Sequence, residues 1–320
     1  MATSVQGYNA TAGVNALTAE QAEYYQRVML ERLLPELVYM KYGEKKNIPK
    51  NAGAVTSFRR LNSLAVSTTA LTEGVTPDGV NLDISKLSAT VSEYGNWTKI
   101  SEFINLVGLD PLMTEVSELM GENAGESIDT IVRDIIYAGT NVKYAGAATS
   151  RVTVAATDKI TALDILKVRR TLRRNKVKPI PIPGGGRGYL AFAHTDVAMD
   201  LMQTQEWKDQ NTYVDTKNRE DGILGKMYGI YFMEVDNGVK YTGAGAAGAD
   251  VFATLFIGKG AYGVPDVEGS SKPEIIVHKA GSGGVSDPLN QFNTVAWKSV
   301  FTSVRLQELA MVRYESGASV

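Results

Sequence analysis

The chain has 320 residues, with 33 Lys and Arg against 35 Asp and Glu, no cysteine and only two histidines. Disulfides, thiolate nucleophiles and cysteine-ligated metal centres are therefore excluded, and a multi-histidine metal site is nearly excluded too. A formal net charge of −2 gives no global basic field for nucleic acid or anionic lipid, while 44% hydrophobic residues leave room for about two cores.

Residues 1–17 carry no charge and no clear period, and read as an arm that is disordered alone or ordered against something else. No Lys or Arg precedes Arg27 and no apolar h-region follows the start, so the expectation is a chain without an export signal, made and kept in a cytoplasm. The longest apolar run, Val251–Ile257, is far short of the ~20 residues needed to span a bilayer. Thr18, with Gln21 at the capping-box position, opens a helix on which Tyr25, Met29, Leu33, Leu37 and Met40 recur at helical spacing. Pro35 should kink or split it, and residues 41–50 read as a basic connector.

Residues 53–100 change character. Residues 54–61 are strand-like, and the stretch from Leu82 to Val91 partly alternates apolar and polar side chains. Between them, Pro77, Asp78 and Gly79 supply strong turn chemistry. Few large apolar residues occur over 62–85, and a long two-stranded arm of this kind is marginal by itself. It needs its own domain or a neighbouring molecule to lie upon.

Asp110 as N-cap and Pro111 at the first position open a helix expected to run to Ala138 before Gly139, about 42 Å at 1.5 Å per residue. Val116, Met120, Ala124, Ile128, Ile131 and Ile135 form one stripe. Glu115, Glu118, Glu122, Glu126 and Asp129 form a second, with no Lys or Arg between Lys99 and Arg133. Gly121 and Gly125 weaken the middle, which predicts a bend or close packing there.

The second half reads as α/β. Thr161 and Asp164 cap a helix through Asn175 with Ile165, Val168 and Leu172 inward. Residues 179–183 and 184–188 read as an extended linker and a glycine loop, and 189–193 as a short buried strand. Thr195 is expected to cap a helix reaching about Trp207, followed by a polar loop over 208–222. Residues 223–235 and Val251–Ile257 are strand-like around a Gly/Ala loop at 238–249, and 295–314 reads as strands returning to a core.

Four patterns invite a chemical reading. Gly258, Gly260 and Gly263 fit G-x-G-x-x-G after a strand, but residues 264–269 are poor helix sequence and no acid stands about 20 residues on, so the pattern reads as a turn. The loop at Gly184 to Gly188 lacks the Lys and Ser or Thr of a phosphate-binding loop. His194 and Asp196 stand where α/β active sites put residues, which is also how a strand ends and a helix is capped. Lys167, Arg169, Arg170, Arg173, Arg174, Lys176 and Lys178 form the one dense basic cluster; it lacks the aromatic interleaving of a nucleic-acid site and reads as an exposed helix face.

In the order of these parts the chain resembles the major capsid proteins of tailed bacteriophages with the Hong Kong 97-type fold. It is most similar to the family typified by the major coat protein of the podovirus N-four. The likeness covers essentially the whole chain and is nearest over residues 163–178, 188–205 and 222–238, with Thr294, Trp297 and Lys298 and residues 309–314 resembling the return segment. The resemblance implies an α+β fold: an N-terminal arm and helix at 1–50, an extended hairpin loop at 51–100 and a spine helix with a peripheral domain at 101–160. An axial domain at 161–293 and return strands of the peripheral domain at 294–320 would complete it.

The function so implied is structural. Copies of the chain would self-assemble as hexamers and pentamers into an icosahedral virion head, made in the host cytoplasm and enclosing double-stranded DNA touched non-specifically. Scaffolding, portal and decoration proteins would be further partners and no membrane would be involved. The family supplies no catalytic, cofactor or metal residues to carry over. Two other readings remain open here: an α/β nucleotide-binding enzyme using His194 and Asp196, and an encapsulin-like compartment shell. The acidic stripe from Glu115 to Asp129 is expected either to face the genome and repel phosphate, or to pair with the Arg169 to Lys178 cluster.

Overall fold

The computed structural model describes residues 19–49, 53–61, 79–107, 112–182, 186–211, 222–267, 272–281 and 291–319, with isolated positions between 64 and 76 and Leu289. The readings of residues 1–18, Pro77, Asp78, Asp110, Pro111, residues 183–185 and residues 212–221 lie outside the described residues.

Helix α1 (Ala19–Glu36) ends one residue after Pro35, and a 3₁₀ turn at Tyr39–Tyr42 takes the place of its expected last turn. The basic connector is a strand, β1 (Glu44–Ile48), recruited by pairing that no local pattern announces. The arm forms as expected: β2 (Val55–Leu61) and β3 (Ile84–Thr90) make an antiparallel sheet of their own, in register from Val55 opposite Thr90 to Leu61 opposite Ile84. Next come β4 (Ser92–Ser101), the short α2 (Glu102–Val107), and α3 (Leu112–Tyr137), 26 residues or about 39 Å long.

Strand β5 (Val142–Tyr144) precedes α4 (Ala162–Arg174), which carries the expected capping box of Thr161 and Asp164 and buries Ile165, Val168 and Leu172. The segment read as a linker is instead a hairpin of β6 (Ile180–Ile182) with β7 (Gly186–His194). The following helix is capped by His194 rather than Thr195. It breaks at Thr204 into α5 (Thr195–Gln203) and α6 (Gln205–Asn211). Residues 223–235 fold as β8 (Ile223–Met227) and β9 (Ile230–Val235) around Tyr228 and Gly229, whose φ of 49° and 80° match a type I′ turn. The chain closes with β10 (Lys240–Tyr241), β11 (Val251–Ile257), β12 (Tyr262–Val267), β13 (Glu274–His278), β14 (Phe292–Phe301), β15 (Val304–Arg305) and β16 (Met311–Ser316).

One sheet runs β5-β16-β11-β7-β9-β8, with β6 on β7 and β10 on β11. The other runs β1-β12-β14-β13, with β15 on β12 and β4 along the whole of β14. This membership cuts across the expected boundaries. Strands β12 and β13, inside 161–293, join β14; β16, inside 294–320, joins β11. Patterning explains both placements. β14 alternates buried and half-open positions, as a sheet with one open face requires, whereas five of the six residues of β16 are buried, as a central strand requires. The turn after β11 carries the chain from one sheet to the other.

Helix α3 joins the two. Its buried line runs through Ser117, Gly121, Gly125, Ile128, Val132 and Ile136, while Val116, Ile131 and Ile135 of the expected stripe are half-buried. The shift follows from the glycines, since a Cβ at Gly121 would lie 2.5 Å from the Met29 carbonyl oxygen of α1. Close packing, the second option for these glycines, is what the helix uses. Asn123 Oδ1 accepts from Trp297 Nε1 (3.0 Å) and Asn96 Nδ2 (3.2 Å) on the β14 sheet. Near the other end, Asn237 after β9 donates to Thr130 Oγ1 (2.8 Å), and Arg313 of β16 donates to the Tyr137 carbonyl.

The acidic stripe is not an uncompensated row. Asp129 is buried and accepts from the Tyr39 N–H at 2.8 Å, while Arg32 of α1 reaches Glu118 at 3.0 Å and Glu122 at 3.2 Å. Sequence distance hid that base. The most enclosed charge is Glu315, fully buried and held by Arg151 through bonds of 2.9 and 2.7 Å, with Arg313 Nε at 2.9 Å. The Arg151 guanidinium also lies 3.4 Å over the Tyr241 ring.

Two stability measurements check this frame. Gly121→Ala loses about 1–3 kcal/mol in urea unfolding instead of gaining the ~1 kcal/mol of helix propensity, because the methyl meets a backbone carbonyl that cannot swing away. Glu315→Gln loses about 2–4 kcal/mol, below a fully sealed pair because Arg151 keeps contact with water.

Candidate functional site

His194 ends β7 and caps α5: its Nδ1 accepts from the Asp196 N–H at 3.2 Å, which places the neutral ring's proton on Nε2. Asp196 Oδ2 lies 3.4 Å from the same nitrogen, and the ring packs 4.9 Å from that of Phe252. Burial pushes the imidazole below its ordinary 6.5, against the opposite pull of the Asp196 carboxylate. The neighbouring Thr195 hydroxyl is engaged with Asp236 Oδ1 at 3.1 Å. The pair is thus joined by a helix cap whose ring lone pair is already in use.

The glycine pattern does not hold a nucleotide. Gly263 lies in β12, so a strand and not a helix follows the turn, and no helix N-terminus faces a pyrophosphate. Gly258 packs against Val177, and Gly260 has the positive φ of 71° that a turn there demands. Gly186 and Gly188 belong to strand β7. Among the described residues no group of three or more His, Asp or Glu side chains could hold a metal ion, and no helix is long and apolar enough to cross a membrane.

The basic cluster occupies the outer face of α4 and the turn behind it. Lys167 pairs with Asp164 at 2.9 Å, and Lys143 of β5 bonds Thr171. Burial and the nearby Arg170 and Lys167 hold the Lys143 ammonium below its ordinary pKa. Among the described residues no ion pair joins this cluster to the acids of α3, so the expected pairing does not occur within one chain.

What remains unpartnered is surface. The inner face of the hairpin seats Phe58 and Ala89 against Leu306. Its other face carries Val55, Ser57 and Arg59 opposite Thr90, Ser88 and Lys86, and Val66 and Val80 beyond it are 76% and 62% exposed. On β4, Tyr94 and Ile100 turn inward while Trp97 is 63% exposed on the opposite side. The period-2 pattern of 92–101 was the available sequence signal for this face; the Arg32 clasp on α3 had none.

The profile of the family described as phage capsid protein matches residues 84–313. No curated protein matches the sequence significantly. Among solved structures, the chain is similar to the capsid of Ralstonia phage GP4, with a TM-score of 0.74 at 14% identity over 89% of this chain and 92% of that one. It is similar to the cyanophage Pam1 capsid asymmetric unit, with a TM-score of 0.66 at 15% identity over 99% and 98%. The acidic stable capsid of Helicobacter pylori bacteriophage KHP30 aligns with a TM-score of 0.62 at 13% identity over 85% and 86%. The mixed α+β architecture is therefore that of the Hong Kong 97-type capsid fold. With the family profile spanning most of its length, the chain belongs to the phage capsid protein family.

Proposed function

We propose that this chain is the major building block of a tailed-phage head, acting by self-assembly and not by catalysis. The observation that carries the reading is the β2–β3 hairpin. Its strands pair with neither main sheet; it is held by the Lys46 ammonium of β1 on the Ser57 carbonyl and by one face seated through Phe58 and Ala89, and the other face is left bare. A two-stranded sheet is marginal alone, and apolar side chains as open as Val66 and Val80 are stabilised when a second copy covers them. Contacts of one copy's arm with the next are heterologous, so they close into rings, and rings into a shell.

The head so built would enclose double-stranded DNA without reading its sequence, and would meet scaffolding, portal and decoration proteins at other surfaces. The 161–293 segment, apart from β12 and β13, would serve as the axial domain, with the β14 sheet and α3 as the peripheral domain. Synthesis in the bacterial cytoplasm fits a chain that needs no disulfide. His194, Asp196 and the glycine turn serve the fold.

Expressed alone and imaged by negative-stain microscopy, the chain gives closed shells or ring-shaped capsomers. A small defined oligomer would overturn the reading, and native particles filled with an enzyme in place of DNA would favour a compartment shell. Stability against pH tests the cap at His194. Burial keeps its folded pKa below 6.5, so its contribution is full above that pH and is lost as pH falls through it. His194→Asn retains a cap acceptor and removes this slope between about pH 7.5 and about pH 5.5, with assembly unchanged. A catalytic His194 would instead make the substitution abolish a measurable turnover.

A further inference from the structure

One joint between the spine helix and the β11 sheet passes through the turn after β9. Asn237 there donates from Nδ2 to Thr130 Oγ1 of α3 at 2.8 Å, and its Oδ1 accepts from Arg133 Nη1. The same Nη1 donates to the Asn237 backbone carbonyl at 3.2 Å, so one guanidinium nitrogen serves both oxygens of this residue. Arg133 is anchored in turn by Asp134 Oδ1 at 2.8 Å. Gly238 follows. A Cβ there would lie 3.0 Å from His194 Cβ and 3.1 Å from His194 Cα, so packing against the end of β7 keeps the position free of a side chain. Asn237 and Gly238 are half-buried, within reach of water, and among the described residues the Gly238 N–H donates to no group.

An asparagine followed by glycine sets two reactive groups side by side. The side-chain Cγ and the next backbone nitrogen can close a small ring, and glycine has no Cβ to block the approach. Loss of the Gly238 amide proton to hydroxide puts negative charge on the peptide unit, shared by the nitrogen and the Asn237 carbonyl oxygen. Attack of that nitrogen on Cγ then moves the charge to Oδ1. Arg133 Nη1 touches both oxygens, so a single cation stabilises the charge in each place. The bond to Thr130 acts against the reaction. It fixes the carboxamide, and the ring closes only after the side chain turns.

We propose that Asn237–Gly238 is a self-modification site, at which the chain converts its own side-chain amide to a succinimide and then to aspartate or isoaspartate. The bond from the Gly238 nitrogen to Cγ forms, the Cγ–Nδ2 bond breaks, and Nδ2 leaves as ammonia after taking a proton from water. Water then adds to either ring carbonyl. Opening at Cγ gives aspartate, and opening at the former backbone carbonyl gives isoaspartate, which routes the main chain through the side chain. In sum an amide and water become a carboxylate and ammonium, with no oxidant or cofactor. Aspartate faces Arg133 as an ion pair, whereas isoaspartate lengthens the backbone between β9 and β10 and draws Gly238 away from His194. Thr130 sets the pace, and the joint between α3 and β9 changes one way only. The inference concerns the single chain and stands apart from the shell reading.

The test is peptide mass spectrometry of the purified full-length chain, aged at mildly alkaline pH where amide deprotonation is favoured. The peptide containing residue 237 gains about 1 Da and an isoaspartate fraction, and ammonia is released. Asn237→Gln, whose longer side chain closes the ring poorly, shows neither. Thr130→Val keeps the shape but removes the acceptor, and speeds conversion about fivefold. Adding Arg133→Gln to it slows conversion again by about tenfold, because the charge on both oxygens loses its partner. A parent chain that shows no mass gain while the same chain in urea converts fully overturns the site. A Thr130→Val rate equal to the parent's, or no slowing with Arg133→Gln, also overturns the inference. Where a variant loses its native circular dichroism, the parent decides alone. Its folded rate lies about tenfold below its rate in urea, and equal rates overturn the restraint by Thr130 and the fold.

Discussion

The closeness of α1 to α3 at Gly121 governs the rest of the molecule. With the Met29 carbonyl where the first atom of a side chain would be, α1 lies deep against the spine helix and carries Arg32 to Glu118 and Glu122. The same docking brings Gln26 to the β13 edge and Tyr39 to Asp129. A glycine in mid-helix costs helix stability of about 1 kcal/mol, and here close packing over the length of α1 offsets that cost. Because α3 bonds Trp297 of one sheet near its middle and Arg313 of the other at its end, the placement of α1 is felt in both sheets.

Local physics made much of this legible from the sequence. The α4 capping box, the line of Ile165, Val168 and Leu172, the hairpin and the spine helix all depend on residues within a few positions of one another, or on one helical or strand period. The misreadings concern long-range pairing. Residues 44–48 look like a connector because their strand exists only through β12, more than 200 residues away. Residues 179–183 look like a proline linker because edge position, where proline is tolerated, is not written locally. The acids of α3 looked uncompensated because Arg32 lies 86 residues from Glu118.

The candidate site was harder to read than the fold, for a related reason. His194 and Asp196 have the residue types of catalysis and are adjacent in sequence, so they attract attention. Their geometry spends the imidazole lone pair on a backbone N–H. Arg59 and Lys86 attract none, because a basic residue on a strand is ordinary until the register sets another directly opposite it. For a protein whose partner is a second copy of itself, the informative residues are those whose electrostatics remain incomplete in the single chain.

That incompleteness has to be rationed. A subunit with several open edges would pair in many registers and aggregate, whereas blunted edges and one projecting arm restrict the modes of growth. Side-chain amides meet edge groups on β13 through Gln26, on β8 through Asn211 and on β4 through Asn96. The charges of the hairpin then matter less for strength than for register, because exposed pairs contribute little affinity but penalise misaligned partners heavily. Exposed apolar residues of the hairpin such as Val55 and Ile84 can supply the attraction that charge does not. Each contact can stay weak enough to correct an error, since ring closure multiplies modest affinities through effective concentration. The chain's scarcity of reactive side chains is consistent with this design: its selectivity lies in which backbone edges are covered and which faces are left to a neighbour.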